Sequence, residues 1–327
     1  MPEEEQVLSL LRMHKGYVSA KTLAKEAGIS RSTMSKRIRI LRKYGYNIES
    51  NRRIGYKLVA ETDLPVPWEL AKVLNTCFLG KDKILYRLTL ESTQKLAILL
   101  AEKKTSSEGI VIIAEQQTGG RGRENRKWLS PSGGMWLSVI LRPTTSALDI
   151  TLLPFAAAIA VCEAIRKTTR LNPKLRWPND VMINGKKVAG ILVDISMEAD
   201  LINYAIIGIG INANVDSLAL SSAVESHIMV TSISDELGYK INILELTKVT
   251  LEQLEYHYLR IKDDLPHRII EQWKNNSDIF HHKVEVIGKH STIEGIAEDV
   301  KEDGSLLVRT YEGKEINVVA SDVRVRF

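Results

Sequence analysis

The sequence predicts a multidomain α/β (α+β) chain: an N-terminal winged helix-turn-helix, a central domain on buried strands, and a small C-terminal β-barrel. Three observations predict it. Residues 1–60 hold three short helical patterns and then a hairpin pattern, all within a strongly basic stretch. Between residues 110 and 212, apolar runs alternate with a helical segment and glycine-rich loops, as in a layered sheet. From about residue 279 the chain breaks into short β runs separated by turn dipeptides.

At 327 residues the chain suits two or three domains. Apolar residues at 44% and charged residues at 26% fit a soluble protein with a real core. No apolar stretch reaches the roughly 18 residues that a membrane helix needs. The N-terminus, MPEEEQVLSL, is acidic and lacks the order of a signal peptide. Cys77 and Cys162 are the only cysteines, and in an unexported chain they read as reduced thiols rather than a disulfide or metal pair. A cytoplasmic location is expected.

The formal charge of +5 is uneven. Residues 1–60 carry 13 Lys/Arg against 5 Asp/Glu, leaving 32 against 35 in the rest. A basic module on a mildly acidic body points to a polyanion partner for that module. An ordinary solvated basic surface is the plain alternative, so placement has to decide.

Residues 3–13 form one helical stripe through Val7, Leu8, Leu10 and Leu11. Ser19 sits at an N-cap, Gly28 at a stop, and Ser30 caps a second helix, RSTMSKRIRILRKYG. On that helix Met34, Ile38 and Leu41 share a face. Arg31, Ser32, Ser35, Lys36, Arg39, Arg42 and Lys43 cluster opposite, with no acid among them. Phosphates need positive charge, and base edges need Arg, Lys or small hydroxyls. Residues 46–50 and 54–59 read as strands around Asn51-Arg52-Arg53, a basic wing. The expected DNA contacts are Arg31, Ser32, Ser35, Lys36, Arg39, Arg52 and Arg53; a protein-docking module is the alternative. Pro65 and Pro67 in ETDLPVPW break both periodicities. The expected domains are 1–64, 65–278 and 279–327.

In the central part, Ser92 and Thr93 open a helical segment, KLAILLAEKK; alone this is an ordinary N-cap. Residues 110–114 read as a buried strand leading into Gln116-Gln117-Thr118-Gly119-Gly120-Arg121-Gly122-Arg123-Glu124-Asn125-Arg126-Lys127-Trp128. This loop matches neither a Walker loop nor a complete GxGxxG fingerprint. Its glycines let the backbone approach a ligand, and its four cations suit a phosphate or carboxylate. A basic surface loop is the plain alternative, but ligands gather at strand ends in α/β sheets. Residues 135–141 read as a strand, 152–168 as an Ala-rich helix, and Asn184-Gly185 as a hairpin turn before a strand at 186–194. In AIIGIGINAN, Ile207, Ile209 and Ile211 alternate with Gly208, Gly210 and Asn212. A glycine face leaves room for a ligand, or for core packing.

GGRGRENRKW, RWPNDVMINGKKVAGILVD and GIGINAN, in this order and spacing, resemble the biotin protein ligase family. With the N-terminal module, the whole chain is similar to its bifunctional ligase/repressor type. The resemblance implies a central mixed-sheet catalytic domain and a two-step reaction. Biotin's carboxylate attacks the α-phosphorus of ATP, giving biotinyl-5′-AMP and pyrophosphate. A lysine of a biotin carboxyl carrier domain of a carboxylase then attacks the mixed anhydride and releases AMP. Mg²⁺ is expected with ATP, with no metal ligands from the protein. The resemblance places Ser92, Thr93, Gln94, Gln117, Gly120, Arg121, Gly122, Arg123 and Lys187 around biotin and its acyl-phosphate. Lys187 and Arg121 would stabilise charge on the transferring groups. Trp128, Asn179, Asn212 and Arg326 would lie on the nucleotide side, and Asp180 would be the general base for the incoming lysine. Three positions depart from the family's pattern: Gln94 for the usual Asn, Asn125 for a frequent Gly, and Gly119 for the usual Ala.

The residues from 243 to 276 read as one long helical stretch. Beyond it, Gly288-Lys289, Asp303-Gly304 and Glu312-Gly313 separate short strands. His281-His282 reads as a strand entry rather than a metal site, since only His290 is near. The resemblance makes this segment an SH3-like cap on the active site. The leading expectation is therefore ligase plus repressor, with biotinyl-5′-AMP as intermediate and corepressor of a homodimer on operator DNA. Ordering of the 119–128 and 213–233 loops would link ligand to dimer. The alternatives are a biotin-sensing repressor without ligase activity and a related lipoate-type acyl ligase. The presence of Arg121, Arg123, Asp180 and Lys187 favours an active enzyme.

Overall fold

The computed structural model describes residues 3–103, 105–144, 150–199, 201–222, 229–262, 266–288, 292–320 and 323–326, without the side chains of 125, 221, 222, 266, 288 and 323–326. The chain forms two compact units, Met1–Lys72 and Val73–Phe327.

The first unit comprises α1 (Glu3–His14), α2 (Ala20–Glu26), α3 (Arg31–Lys43), β1 (Asn47–Asn51), β2 (Gly55–Ala60) and α4 (Pro67–Val73). Ser19 Oγ accepts the Thr22 N–H at 3.0 Å and Ser30 Oγ the Thr33 N–H at 3.1 Å, so both expected caps form. Gly28 turns between α2 and α3 at φ +65, where a residue with a Cβ is strained. Leu8, Leu11, Leu23, Met34, Ile38 and Leu41 close the core of the three helices. β1 and β2 pair antiparallel, and Val18 exchanges two backbone hydrogen bonds with Tyr56, both 2.9 Å. This ties the wing to the start of α2. After the prolines, α4 returns to the unit: the Trp68 indole donates to Tyr46 Oη at 2.7 Å, and that hydroxyl donates to Glu69 at 2.6 Å. Arg12 adds 2.7 Å to Glu69 and 2.6 Å to Glu61.

The second unit is built on a seven-stranded sheet of order β3-β4-β5-β9-β8-β7-β6. Its strands are β3 (Ile84–Leu90), β4 (Val111–Gln117), β5 (Met135–Leu141), β6 (Lys174–Arg176), β7 (Asp180–Ile183), β8 (Lys186–Glu198) and β9 (Leu201–Ile211). Only β3 and β4 run parallel; the other neighbours are antiparallel, which makes the sheet mixed. Asn184 at φ 51 and Gly185 at φ 75 make the tight turn between β7 and β8. α5 (Thr93–Ala101) packs on β4, β5 and β9, while α6 (Leu153–Thr168) packs on β6 to β9. α6 is buried along most of its length, because the helices that follow also cover it.

These are the short α7 (Ser217–Ser222) and α8 (Ile233–Leu237), then α9 (Ile243–Lys262) and α10 (Pro266–Asn275). The stretch expected as one helix is therefore two. A C-terminal sheet follows, of order β13-β12-β11-β10-β14: β10 (Lys283–Gly288), β11 (Thr292–Val300), β12 (Leu306–Thr310), β13 (Glu315–Val318) and β14 (Val323–Arg326). All its pairs are antiparallel, and β13 and β14 are its edges among the described residues. It is fastened to the central sheet where the buried Trp177 indole donates to the Gly304 carbonyl at 3.0 Å.

His281 and His282 sit at the entry to β10, with the His281 N–H on the Ala297 carbonyl at 2.7 Å; His290 lies outside the described residues. Among the described residues, no group of three His, Cys, Asp or Glu is placed to hold a metal. Neither is any described helix long and apolar enough to cross a membrane. Cys77 and Cys162 are free thiols, and burial pushes the Cys162 thiol up to about 11.

Candidate functional site

The glycine-rich loop leaves β4 and folds back on itself. Arg121 and Lys127 bridge across it, the Gly122 N–H meets the Arg126 carbonyl at 2.8 Å, and the Trp128 N–H meets the Gly120 carbonyl at 2.9 Å. Gly120 is required by this closure, since a Cβ there would lie 2.5 Å from the Trp128 carbonyl oxygen. The fold-back delivers the Trp128 side chain onto the face of the sheet. Gly190 on β8 and Gly210 on β9 are register partners. A Cβ on Gly210 would lie 2.6 Å from the Trp128 indole nitrogen, and one on Gly190 would lie 3.1 Å from its ring. The two glycines make a bare patch, and the indole covers it. The site thus lies on the sheet face as well as beyond strand ends, because most of the sheet is antiparallel.

Gly208 has a different occupant. A Cβ there would lie 2.5 Å from Gln94 Oε1, so Gln94 fills the space that the third glycine leaves. Gln94 Nε2 donates to Asp194 at 2.9 Å and to the Ile206 carbonyl at 3.2 Å. Ser138 Oγ lies 2.9 Å from both Gln94 Oε1 and Thr93 Oγ1. Gln117 Oε1 accepts the Thr93 N–H at 2.8 Å, and its amide donates to Ser130 at 2.8 Å. Ser92 remains the N-cap of α5, accepting from Lys95 N–H at 3.4 Å. A hydrogen-bonded floor therefore links the start of α5, the end of β4 and the return of the loop.

Above this floor the charges converge. Lys187 Nζ lies 2.6 Å from Asp180 Oδ1 and 5.1 Å from the Trp128 ring centroid. Arg121 reaches Asp194 at 3.9 Å. Arg123 meets Asn179 at 3.5 Å and donates to the Ala320 carbonyl, just past β13. Burial pulls the Arg123 guanidinium below its ordinary value, although Glu124 and Asp180 oppose that. Two donors in the cluster, Arg121 Nε and Trp128 Nε1, are buried without a partner among the described residues. Buried donors usually find one, so this place fits a polar ligand.

The expected site residues thus fall into groups. Thr93, Gln94, Gln117, Gly120, Arg121, Gly122, Arg123, Trp128, Asn179, Asp180 and Lys187 form one connected neighbourhood. Asn212 instead donates to the Thr231 carbonyl at 3.0 Å and pins the segment that leads into α8. Arg326 pairs through its backbone with Glu285; its side chain lies outside the description, as does that of Asn125. Residues 223–228 of the 213–233 loop also lie outside the described residues. Sequence reading missed Asp194, Ser138 and Ser130. Ser138 sits mid-strand in an apolar run, a polar interruption that could have flagged it.

In the first unit, Arg31, Ser32, Lys36 and Arg39 are exposed along α3 and Ser35 is half-buried, with its hydroxyl 3.3 Å from Tyr56 Oη. Arg52 and Arg53 are exposed at the wing tip, where Asn51 Oδ1 accepts the Arg53 N–H at 2.9 Å. One expected member of the basic face differs. Both Nε and Nη2 of Arg42 donate to the Ile48 carbonyl, at 2.9 and 2.6 Å, because β1 runs back past the end of α3.

Comparison with known proteins agrees with this geometry. Residues 85–212 match the Biotin/lipoate A/B protein ligase family and residues 3–57 match an HTH domain. The Bifunctional ligase/repressor BirA of Bacillus subtilis is 33% identical over 301 residues, covering 91% of this chain and 90% of that protein. The Escherichia coli protein of the same name is 26% identical over 314 residues, 93% of this chain and 94% of its own. The Aquifex aeolicus biotin protein ligase, solved in complex with biotin and ATP, superposes with a TM-score of 0.62 at 27% identity, covering 75% of this chain and 98% of that one. With a helix-turn-helix unit joined to a catalytic sheet of this kind, the chain belongs to the biotin protein ligases of the bifunctional ligase/repressor type.

Proposed function

We propose that this ligase/repressor activates biotin with ATP as biotinyl-5′-AMP, passes the biotinyl group to a lysine of a carboxylase's biotin carboxyl carrier domain, and represses biotin genes as an operator-bound homodimer. One observation carries the enzymatic part: Trp128 and Lys187 meet over the Gly190–Gly210 patch while Arg121 of the same loop reaches Asp194 further along β8, with two buried donors left over.

The chemistry follows from charge. When the biotin carboxylate oxygen bonds to the α-phosphorus and pyrophosphate leaves, negative charge builds on oxygens around the reacting centre. Lys187, Arg121 and Arg123 supply the positive charge that stabilises it. Thr93, Gln94, Gln117, Gly120 and Gly122 shape the biotin side, with Ser92 at the helix start. Trp128, Asn179 and Arg326 serve the nucleotide side, Asn212 contributes through the Thr231 segment that it pins, and Mg²⁺ would accompany the ATP phosphates. To reach the acyl-phosphate, Lys187 has to leave Asp180. That exchange frees the Asp180 carboxylate to take a proton from the incoming lysine as its nitrogen bonds to the acyl carbon and AMP departs.

The exposed cations and hydroxyls of α3 and the wing are placed for phosphates and base edges. A two-fold dimer matches a palindromic operator, and the adenylate promotes it if the dimer binds the adenylate better than the monomer does. The divisions 1–64, 65–278 and 279–327 mark the operator-binding, catalytic and SH3-like capping parts, and the protein works in the cytoplasm.

The deciding experiment supplies ATP with either biotin or lipoate, then follows pyrophosphate release and the mass of a carrier domain. Biotin-dependent release with a matching mass gain is expected. Lipoate-dependent release would make it a lipoate-type ligase, and tight biotin binding without release would make it a sensor only.

A further inference from the structure

We infer that Asp194 is a positioning residue for Arg121, held in place by Gln94, and that this pair sets the enzyme's grip on the carboxylate of biotin. The inference rests on the reading above, in which Arg121 faces that carboxylate.

Gln94 has one possible amide orientation. Its Nε2 points at two acceptors, Asp194 Oδ2 at 2.9 Å and the Ile206 carbonyl at 3.2 Å, while its Oε1 meets the Ser138 hydroxyl at 2.9 Å. Turning the amide over would set its oxygen against two acceptors. Gln94 is also immobilised, being 3% exposed and lodged over Gly208. Asp194 and Ile206 are register partners on β8 and β9. Gln94 therefore clamps a fixed point of the sheet from the first turn of α5.

The same Asp194 oxygen that receives the Gln94 amide lies 3.9 Å from the Arg121 guanidinium. Arg121 belongs to a loop that also carries Arg123, Arg126 and Lys127, so repulsion alone would drive its side chain outward. Asp194 supplies the opposing attraction from a rigid strand. Among the described residues it does so through one ion-pair contact, which leaves other guanidinium N–H groups for a ligand carboxylate. A side chain held this way loses less freedom on binding its ligand.

The test measures steady-state pyrophosphate release with biotin and ATP varied separately. The variants are Arg121→Ala, Asp194→Asn, their double variant, and Gln94→Met, which keeps the volume over Gly208. Asp194→Asn and Gln94→Met are expected to raise the biotin KM about tenfold, the scale of one charge-assisted contact, with the ATP KM unchanged. In the Arg121→Ala background, Asp194→Asn is expected to add less than about twofold, because its effect runs through Arg121. An unchanged biotin KM in Asp194→Asn, equal rises in both KM values, or full additivity overturns the inference. A normal biotin KM in Arg121→Ala itself overturns the assignment of Arg121, and the inference falls with it.

Discussion

Lys187 Nζ lies 2.6 Å from Asp180 Oδ1, so a cation two residues beyond Gly185 of the turn is held by the carboxylate that opens the preceding strand, β7. The Trp128 ring lies on its other side, 5.1 Å away. Lys187 is thus oriented by its partners, and the role proposed for it requires Asp180 to be exchanged for the reacting group.

Lys187→Ala is expected to lower adenylate formation by about 100-fold or more, the scale of losing one preorganised charge contact. Its melting temperature should stay close to that of the parent. Pyrophosphate release and thermal melting check the two halves, and full activity would overturn the role given to Lys187.

Gly210→Ala puts a methyl group 2.6 Å from the Trp128 indole nitrogen. The ring has to move off the sheet face, so the ATP KM should rise about tenfold while biotin affinity changes little. Substrate-varied kinetics and calorimetry with biotin alone separate these. Equal loss of both affinities would place Trp128 on the wrong side of the site.

Lys36→Ala and Arg39→Ala remove exposed cations from α3 of the first unit. Each should weaken operator binding and reduce the slope of log affinity against log salt by about 1. Ligase kinetics should be unaltered. Gel shifts across a salt series would reveal an unaltered slope if α3 does not face phosphate.

Biotin together with ATP should strengthen operator affinity in the intact protein. A gel shift indifferent to both would show that the DNA-binding unit does not sense the catalytic one.

Burial works against ionisation of Glu69, yet the hydrogen bonds from Tyr46 and Arg12 hold its carboxyl below the ordinary value of 4.5. A depressed carboxylate contributes stability that is complete above the unfolded value and lost as pH falls through the folded one. Thermal melts between about pH 6 and pH 3 should therefore fall less steeply for Glu69→Gln than for the parent. Parallel curves would remove Glu69 from the acid response.

Much of the architecture was legible in local patterns. Ser19, Ser30 and Ser92 announced helix starts because an N-cap hydroxyl and the N–H it receives lie within one turn. Asn184-Gly185 announced its hairpin because both residues accept positive φ. The glycine-rich basic loop and the alternating Gly208 and Gly210 stood out as bare positions, since a missing side chain is visible wherever it occurs.

Other features needed the folded chain. No local pattern tells that Gly190 and Gly210 face each other, that Trp128 covers them, or that Gln94 rather than a ligand fills the space at Gly208. Asp194 looked like the end of a strand, and Arg42 like a member of a basic face, until β9, α5 and β1 arrived beside them. The sequence by itself determined element types and the basic head, because these depend on neighbours within a few residues. Tertiary structure alone decided which polar group meets which, because strand register and loop return bring together residues as far apart as Gln94 and Asp194.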